Sequence, residues 1–340
     1  MRKLASVVIV KAIEPIAGAD AIELARIAGW QCVTKKREFS IGDHGVYLEI
    51  DSIPPDSAQF RWLWTKKGET AIEGTRPASF RIRTLRLRGA LSQGLLLPLA
   101  SLGLTNAQEG DDLTEQLGIV KYEPPVPLGV GDQRAPFPSI VNKTDETRVQ
   151  SFPLLLDEMR GRPFVATVKI DGTSATFLTM DGELHVCGRN HSVREGDNLY
   201  WYVARKHALA TVLAANPRLV LQGEIAGPGI QKNPLALTDK ALFVFSIFDA
   251  STARYLSDHE LRAFCAAHAL TPVPLAFEGE AFDETVESLL AKAEGRYQGT
   301  NNEREGIVIR PRAGDVLSNV LGGRLSFKAI SNKFLLGERD

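Results

Sequence analysis

Apolar residues fall into two kinds of pattern along the chain, and the pattern changes near residue 150. Before it, residues 5–13, 45–50, 80–87 and 94–99 form short runs rich in β-branched or alternating apolar side chains, separated by Gly, Pro and Asp. Such runs predict strands, and short strands at this spacing predict a small barrel of the OB type over residues 1–120, with other small β-barrels as the competing arrangement. A Pro-rich stretch follows, from Glu123-Pro124-Pro125-Val126-Pro127 to Pro136 and Pro138. Prolines at this density favour extended backbone, so residues 121–140 are expected to be a linker. Beyond it, helical and strand periods alternate. Residues 152–159, 199–213, 258–269 and 283–294 carry helical spacing. Residues 164–170, 175–179, 184–187, 219–225, 242–248 and 306–309 read as strands. The expectation for residues 141–340 is an α+β domain of antiparallel sheets with flanking helices.

The 340 residues suffice for two such domains. A formal net charge of -1 excludes a strong field over the whole surface, so any nucleic-acid contact must come from local clusters. Two stand out in the first 120 residues: Arg81, Arg83, Arg86 and Arg88 within one stretch, and Lys35-Lys36-Arg37. The competing role for these residues is a solvated strand face that blocks edge pairing. Cys32, Cys187 and Cys265 form no CxxC pair, which points to a reducing cytoplasm. Met1-Arg2-Lys3 and the apolar run after it are too short for a secretory signal, and Lys11 interrupts them. No run approaches the roughly 18 apolar residues of a membrane helix, so no membrane partner is expected, and no obligate protein partner is evident.

Candidate chemistry begins at Lys169-Ile170-Asp171-Gly172, where an apolar strand runs into a turn. A lysine that attacks phosphorus must be neutral, whereas a free lysine has a pKa of about 10.4. Burial and neighbouring cations would lower that value. A surface lysine beside an Asp-Gly turn is the plainer alternative. In Gln222-Gly223-Glu224-Ile225-Ala226-Gly227, a carboxylate at a strand end could accept from a ribose hydroxyl, or the segment is simply a strand and a turn. Glu305-Gly306-Ile307-Val308-Ile309-Arg310 sets a carboxylate before an apolar strand, where it could bind Mg²⁺ beside phosphates or face solvent. Ser326-Phe327-Lys328-Ala329-Ile330-Ser331 and Lys333 close the series.

In this order the segments resemble the covalent nucleotidyltransferases: DNA ligases, RNA ligases and mRNA capping enzymes. Lys169–Gly172 resembles the nucleophile motif, Gly188-Arg189-Asn190 the arginine motif, residues 222–233 the glutamate motif and residues 242–249 the aromatic motif. Residues 305–310 and 326–331 resemble the last two. The glutamate motif is most similar to nick-sealing RNA ligases. With a β-rich module expected first and no room expected for a further domain after Lys328, the chain resembles the Deinococcus-type RNA ligases.

That resemblance implies a role for each residue. Lys169 would carry AMP, Arg189 would contact the nucleotide or the nick, Glu224 would bind ribose, and Phe245 would stack on adenine. Glu305 would support Mg²⁺ or Mn²⁺, and Lys328 would neutralise the α-phosphate. Asp171 would either join the metal shell or orient Lys169. Thr167 and Val168 would offer backbone groups to adenine, because Val168 stands where phage relatives carry an acidic residue. Ile330 stands where many relatives have a second lysine, so Lys333 or another cation would substitute, and Ser246 replaces a common Asp. The implied reaction uses ATP to join a 3′-hydroxyl to a 5′-phosphate in a nicked duplex with an RNA 3′-end. The rivals are a DNA ligase, a capping-type guanylyltransferase and a non-catalytic RNA-binding protein.

Overall fold

In the computed structural model, which describes residues 3–66, 69–70, 72–123 and 131–337, the chain divides into two units. One is Met1–Pro124 with Leu335–Asp340; the other is Pro125–Phe334. The first is built from strands β1 (Ala5–Ile9), β2 (Ala12–Pro15), β3 (Ile22–Ile27), β4 (Trp30–Lys35), β5 (His44–Leu48), β6 (Ser52–Ile53), β7 (Thr84–Leu87), β8 (Ala90–Gln93), β9 (Leu95–Pro98) and β10 (Val120–Lys121). They pair as β1-β5-β9, β2-β3-β4, β7-β8 and β6-β10. Alternation along β5 divides its side chains between two cores. Val46 and Leu48 join Val7, Phe60 and Leu97, whereas Tyr47 joins Ile27, Trp30 and Cys32.

The expected single strand over 5–13 is two strands, and the one over 80–87 shortens to Thr84–Leu87. Ahead of it, Ile82 exchanges backbone hydrogen bonds with the start of β6, donating to Ser52 O and accepting from Asp51 N.

The second unit holds two sheets. A 5-stranded sheet runs β12 (Thr147–Arg148), β25 (Phe327–Ile330), β22 (Gly306–Pro311), β13 (Phe164–Lys169) and β21 (Leu275–Gly279), in that spatial order. An 8-stranded sheet runs β11 (Gln133–Pro136), β16 (His191–Val193), β15 (Glu183–Cys187), β14 (Thr173–Met180), β17 (Leu219–Ala226), β18 (Ala241–Asp249) and β19 (Arg254–Tyr255), with β20 (Thr271–Pro272) beside β18. A short pair, β23 (Leu317–Ser318) and β24 (Gly323–Arg324), lies between β22 and β25 in sequence. Strand β11 falls inside the stretch expected as a linker. It is an edge strand, where a proline costs no ladder hydrogen bond. Residues 124–130 of that stretch lie outside the described residues.

Six helices accompany these strands among the described residues: α1 (Leu155–Met159), α2 (Leu199–Lys206), α3 (Leu209–Ala214), α4 (Asp258–Ala267), α5 (Val286–Ala293) and α6 (Asn332–Gly337). The expected helix over 199–213 is broken at Ala208, whose φ of 48° is left-handed. Helix α4 starts at a capping box in which Ser257 and Glu260 satisfy each other's backbone amides. No helix among the described residues is long and apolar enough to cross a membrane.

Candidate active site

Lys169 is the last residue of β13, and Thr173 opens β14 in the other sheet, so Ile170–Gly172 carries the chain across. The crossing is tight. A side chain on Gly172 would meet Ile225 O at 2.3 Å, which accounts for the glycine of the Lys-Ile-Asp-Gly turn. Gly306 is fixed in the same way, with Ala329 O at 2.2 Å from a would-be Cβ. These close approaches bring strand ends from both sheets to the Lys169 amine.

Register shows which side chains share its face. Lys169 pairs with Gly306, and Thr167 pairs with Val308. Val308 in turn pairs with Lys328, and Lys328 with Arg148. Directly paired residues lie on one face of a sheet. The reverse face, with Ala166, Ile307, Ile309, Phe327 and Ala329, is packed into a core. In the other sheet Glu224 pairs with Ser174, at the start of β14.

The Lys169 amine donates to Glu305 Oε2 at 2.7 Å, with side chains 23% and 17% exposed. Burial works to lower the pKa of this amine. The carboxylates of Glu305, Glu224 and Asp171 outweigh it and hold the amine above the ordinary lysine value. Here the structure differs from the sequence expectation, in which burial and nearby cations depress the lysine. Three acids surround it, and they dominate. Burial, against the pull of Lys169 and with the push of Glu305 and Asp171, raises the Glu224 carboxyl to about 8. Burial, then Lys169 and Arg148, brings Lys328 down to about 7. The site thus collects more like charge of each sign than its pairs cancel.

That surplus suits a ligand with anionic and cationic parts. Among the described residues no three His, Cys, Asp or Glu side chains stand close enough to ligate one ion. The carboxylates of Glu305, Glu224 and Asp171 that act on the Lys169 amine are hard oxygen donors, the ligand type that a divalent cation such as Mg²⁺ takes, with water and phosphate completing its shell.

Several expected residues join this cluster and others do not. Lys169, Asp171, Glu224, Glu305 and Lys328 are coupled as described. Arg189 is bound to both carboxylate oxygens of Asp145, at 2.7 and 2.8 Å, and its charge reaches Glu224. Phe245 sits half-buried at the bulge of β18 against the cluster of Ile170, Ala226, Val273 and Tyr297, with the Arg310 guanidinium 5.9 Å from its ring centre. Thr167 is buried on the Lys169 face. The Val168 amide is committed to Pro274 O at 2.8 Å, so this N–H is not left for a base. Lys333 is not brought in. Its amine pairs with Glu294 at 2.8 Å and its side chain is 60% exposed.

Sequence reasoning missed the segment 143–148. Lys143 donates to Asn190, Thr144 bonds to Ser174, Asp145 holds Arg189, Glu146 holds Arg310, and Arg148 pairs with Lys328. The visible signal was seven consecutive polar or charged residues, Asn142-Lys143-Thr144-Asp145-Glu146-Thr147-Arg148, just before the apolar periods of the second unit begin.

The nucleic-acid candidates of the first unit separate into distinct environments. Arg81 is internal, paired with Asp51 at 3.8 Å and stacked 4.1 Å over Tyr122, and Arg83 is half-buried. Arg86 and Arg88 are exposed at the β7–β8 turn, where Arg86 donates to Gly89 O. Lys35, the last residue of β4, and Arg37 after it are exposed, and Lys35 lies 3.8 Å from Glu38.

Comparison with known proteins bears on both units. Residues 4–99 match the model of an OB-fold domain, and residues 162–330 match the RNA ligase family model. No curated protein sequence matches the chain. Among solved structures, Naegleria gruberi RNA ligase with PPi is similar at 40% identity and a TM-score of 0.87, covering 98% of each chain. A variant of that ligase with ATP and Mn is similar at 39% identity and a TM-score of 0.86, again over 98% of each chain. Another variant, with AMP and Mn, is 40% identical with a TM-score of 0.86 over 98% of each. The likeness runs the length of both units and includes the strand ends that gather around Lys169, and on that ground the chain belongs to the RNA ligase family.

Proposed function

We propose that the protein is an ATP-dependent ligase that joins a 3′-hydroxyl to a 5′-phosphate at nicks with an RNA 3′-end, through AMP held covalently on Lys169. The observation that carries this reading is the pairing of Lys169 with Glu305 at 2.7 Å, where two sheets meet and Lys328 flanks them. The order of domains, with the OB fold first, supports placement in the Deinococcus-type branch. The neighbours' ligands, PPi on one and ATP or AMP with Mn on others, support ATP as the nucleotide and a divalent cation beside it.

The residues divide the work. Lys169 Nζ attacks the α-phosphorus of ATP and pyrophosphate leaves. AMP then passes to the 5′-phosphate of the broken strand, and the 3′-hydroxyl attacks that phosphate and expels AMP. Lys328, charged once phosphate is beside it, neutralises transferring oxygens, and Arg148 lies next to it in the sheet. Glu224 accepts from ribose, and Phe245 lies under the base. Glu305 and Asp171 would hold a divalent cation, which would offset the charge of the carboxylates and phosphates. In the absence of nucleotide, Glu305 keeps the Lys169 amine protonated and anchored. Arg86, Arg88, Lys35 and Arg37 of the OB-fold unit would bind phosphates flanking the nick.

Incubation with α-labelled ATP or GTP and a divalent metal tests the reading. Label from ATP, lost in Lys169→Ala, is the expected result. Label from GTP alone would indicate capping chemistry, and no label would indicate a binding protein. Sealing of nicks with ribose or deoxyribose 3′-ends then fixes the strand preference.

A further inference from the structure

Tyr297 lies in the loop between α5 and β22 and is 4% exposed, packed with Ile170, Ala226 and Val273. Its hydroxyl donates to Lys169 O at 3.0 Å and accepts from Asp171 N at 3.0 Å and from Glu305 N at 3.2 Å. One donor and two acceptor sites are all that a phenol offers, and all three are used. The three partners belong to the residues expected to do the chemistry. The β13–β22 ladder ends at the pair Lys169–Gly306. Beyond that pair the Tyr297 hydroxyl receives the Asp171 and Glu305 amides. Burial, and then the Glu305 carboxylate, pushes the phenol above its ordinary range, so the O–H proton stays in place.

The loop is itself tied down. Tyr297 N donates to Asn302 O and Asn302 Nδ2 donates to Pro234 O at 2.8 Å, in the segment after Glu224. From that segment Gln231 Nε2 donates to Gly172 O at 3.2 Å. A closed ring of hydrogen bonds therefore joins the loop, the nucleophile turn and the stretch following β17.

We propose that Tyr297 is a positioning residue for nucleotidyl transfer, its hydroxyl fixing the main chain of Lys169, Asp171 and Glu305 so that the amine is aimed at the α-phosphorus. This rests on the proposed ligase reading. In the step concerned, the Lys169 ammonium first gives up one proton to solvent, and the neutral nitrogen then forms a P–N bond and gives up a second proton to solvent. The bond from the α-phosphorus to the bridging oxygen breaks, and pyrophosphate leaves with that electron pair. Its hydroxyl is fully engaged by main-chain groups of the nucleophile turn and Glu305, so it is expected to act through rate and not through binding. A small misplacement of a reacting group is enough to slow such a step strongly.

The test uses the full chain with Tyr297→Phe, and with Asn302→Ala, which loosens the loop but leaves the hydroxyl. Two reactions are measured: lysyl-AMP formation across a range of ATP, and sealing of a nick already adenylylated at its 5′-end. Tyr297→Phe is expected to lower the saturated rate of lysyl-AMP formation about ten- to a hundredfold. Half-saturating ATP should stay within about twofold, and sealing of the adenylylated nick within about threefold. Asn302→Ala should move the same rate in the same direction by less. An unchanged rate, equal loss in both reactions, or loss expressed in half-saturating ATP overturns the proposal. Should Tyr297→Phe not fold, Asn302→Ala carries the same comparison. Failure of the wild type to label at all would instead sink the ligase reading.

Discussion

Two sets of cations invite comparison: those gathered around Lys169 between the sheets of the second unit, and those on the surface of the OB-fold unit. In the first, Lys169 is 23% exposed and surrounded by Glu305, Glu224 and Asp171, and Lys328 is brought down to about 7. In the second, Lys35 is 83% exposed and its nearest acid, Glu38, is 3.8 Å away. Exposed pairs of that kind contribute about 0–1 kcal/mol. Charges withdrawn from water interact far more strongly, and each also carries a desolvation cost. Lys and Arg in the two places are the same residue types, yet only in the first does the protein control their charge state. That difference teaches what each set can do: the cleft can tune a nucleophile and its phosphate clamp, and the surface can supply only screened attraction.

The sharpest way to break the comparison is at Lys169. Lys169→Ala should abolish the labelled adduct, and Lys169→Arg should not restore it, because a guanidinium stays charged at any accessible pH. Gel detection of label decides the point, and an adduct surviving in Lys169→Ala would move the nucleophile elsewhere.

Next in size is Lys328→Met, expected to lower lysyl-AMP formation by about 10²- to 10³-fold, the usual cost of one well-placed stabilising group. It also carries a pH signature. Burial, then Lys169 and Arg148, lowers this amine to about 7, while Asp145 and Glu305 oppose the change. A phosphate beside it raises that value again. The bound pKa then exceeds the free one, so nucleotide affinity is complete below about 7 and is lost as pH rises, by at most about tenfold per unit. Calorimetric titration of ATP from about pH 6 to about pH 9 should show this fall in the wild type and a flatter profile in Lys328→Met. Equal profiles would mean that Lys328 does not meet the phosphates.

The same contrast explains what was legible in the sequence. Lys169, Glu224, Glu305 and Lys328 stand at the ends of or within apolar strands, where a single polar residue breaks a readable pattern. Tyr297, Arg148, Glu146 and Arg310 acquire their meaning only from partners far along the chain, 164 residues apart for Arg310 and Glu146. No local period announces such a pair. Fold elements divide similarly. The apolar strands β13, β17 and β22 were readable, whereas β2–β4 over Ala12–Lys35 were not. Ala19, Ala21, Glu23, Leu24, Ala25 and Arg26 are mostly good helix formers, and pairing of β3 with both neighbours overrides that preference. The arginines at 81–88 looked like one stripe. Burial of Arg81 against Asp51 and Tyr122 removes it from the surface, and a sequence shows nothing of that.

On the surface side, Arg86→Glu with Arg88→Glu sharpens the comparison. Both side chains are exposed at the β7–β8 turn. If they meet phosphates, the double substitution should weaken nicked-duplex binding about tenfold or more at low salt. It should also reduce the slope of log affinity against log salt by about 1 for each phosphate no longer neutralised. The rate of lysyl-AMP formation without nucleic acid should not change. A changed adduct rate with unchanged binding would place these arginines on the wrong side of the contrast.

The smallest effect is expected at Lys333, and it is the most discriminating for that reason. Lys333 follows closely after Lys328 and belongs to the same unit, so sequence proximity would class it with the cleft. Its surroundings class it with the surface: the side chain is 60% exposed and its partner is Glu294 at 2.8 Å. That partner holds the amine above its ordinary value, so it stays charged at neutral pH and has no route to the tuned behaviour of Lys328. Lys333→Ala should therefore leave the melting transition essentially unmoved and the adduct rate within about twofold. Thermal melting and the labelling assay measure the two quantities on one sample. A loss approaching that of Lys328→Met would show that nucleotide draws Lys333 off Glu294 and into the cleft, and that exposure in the ligand-free chain is a poor guide to which cations do the chemistry.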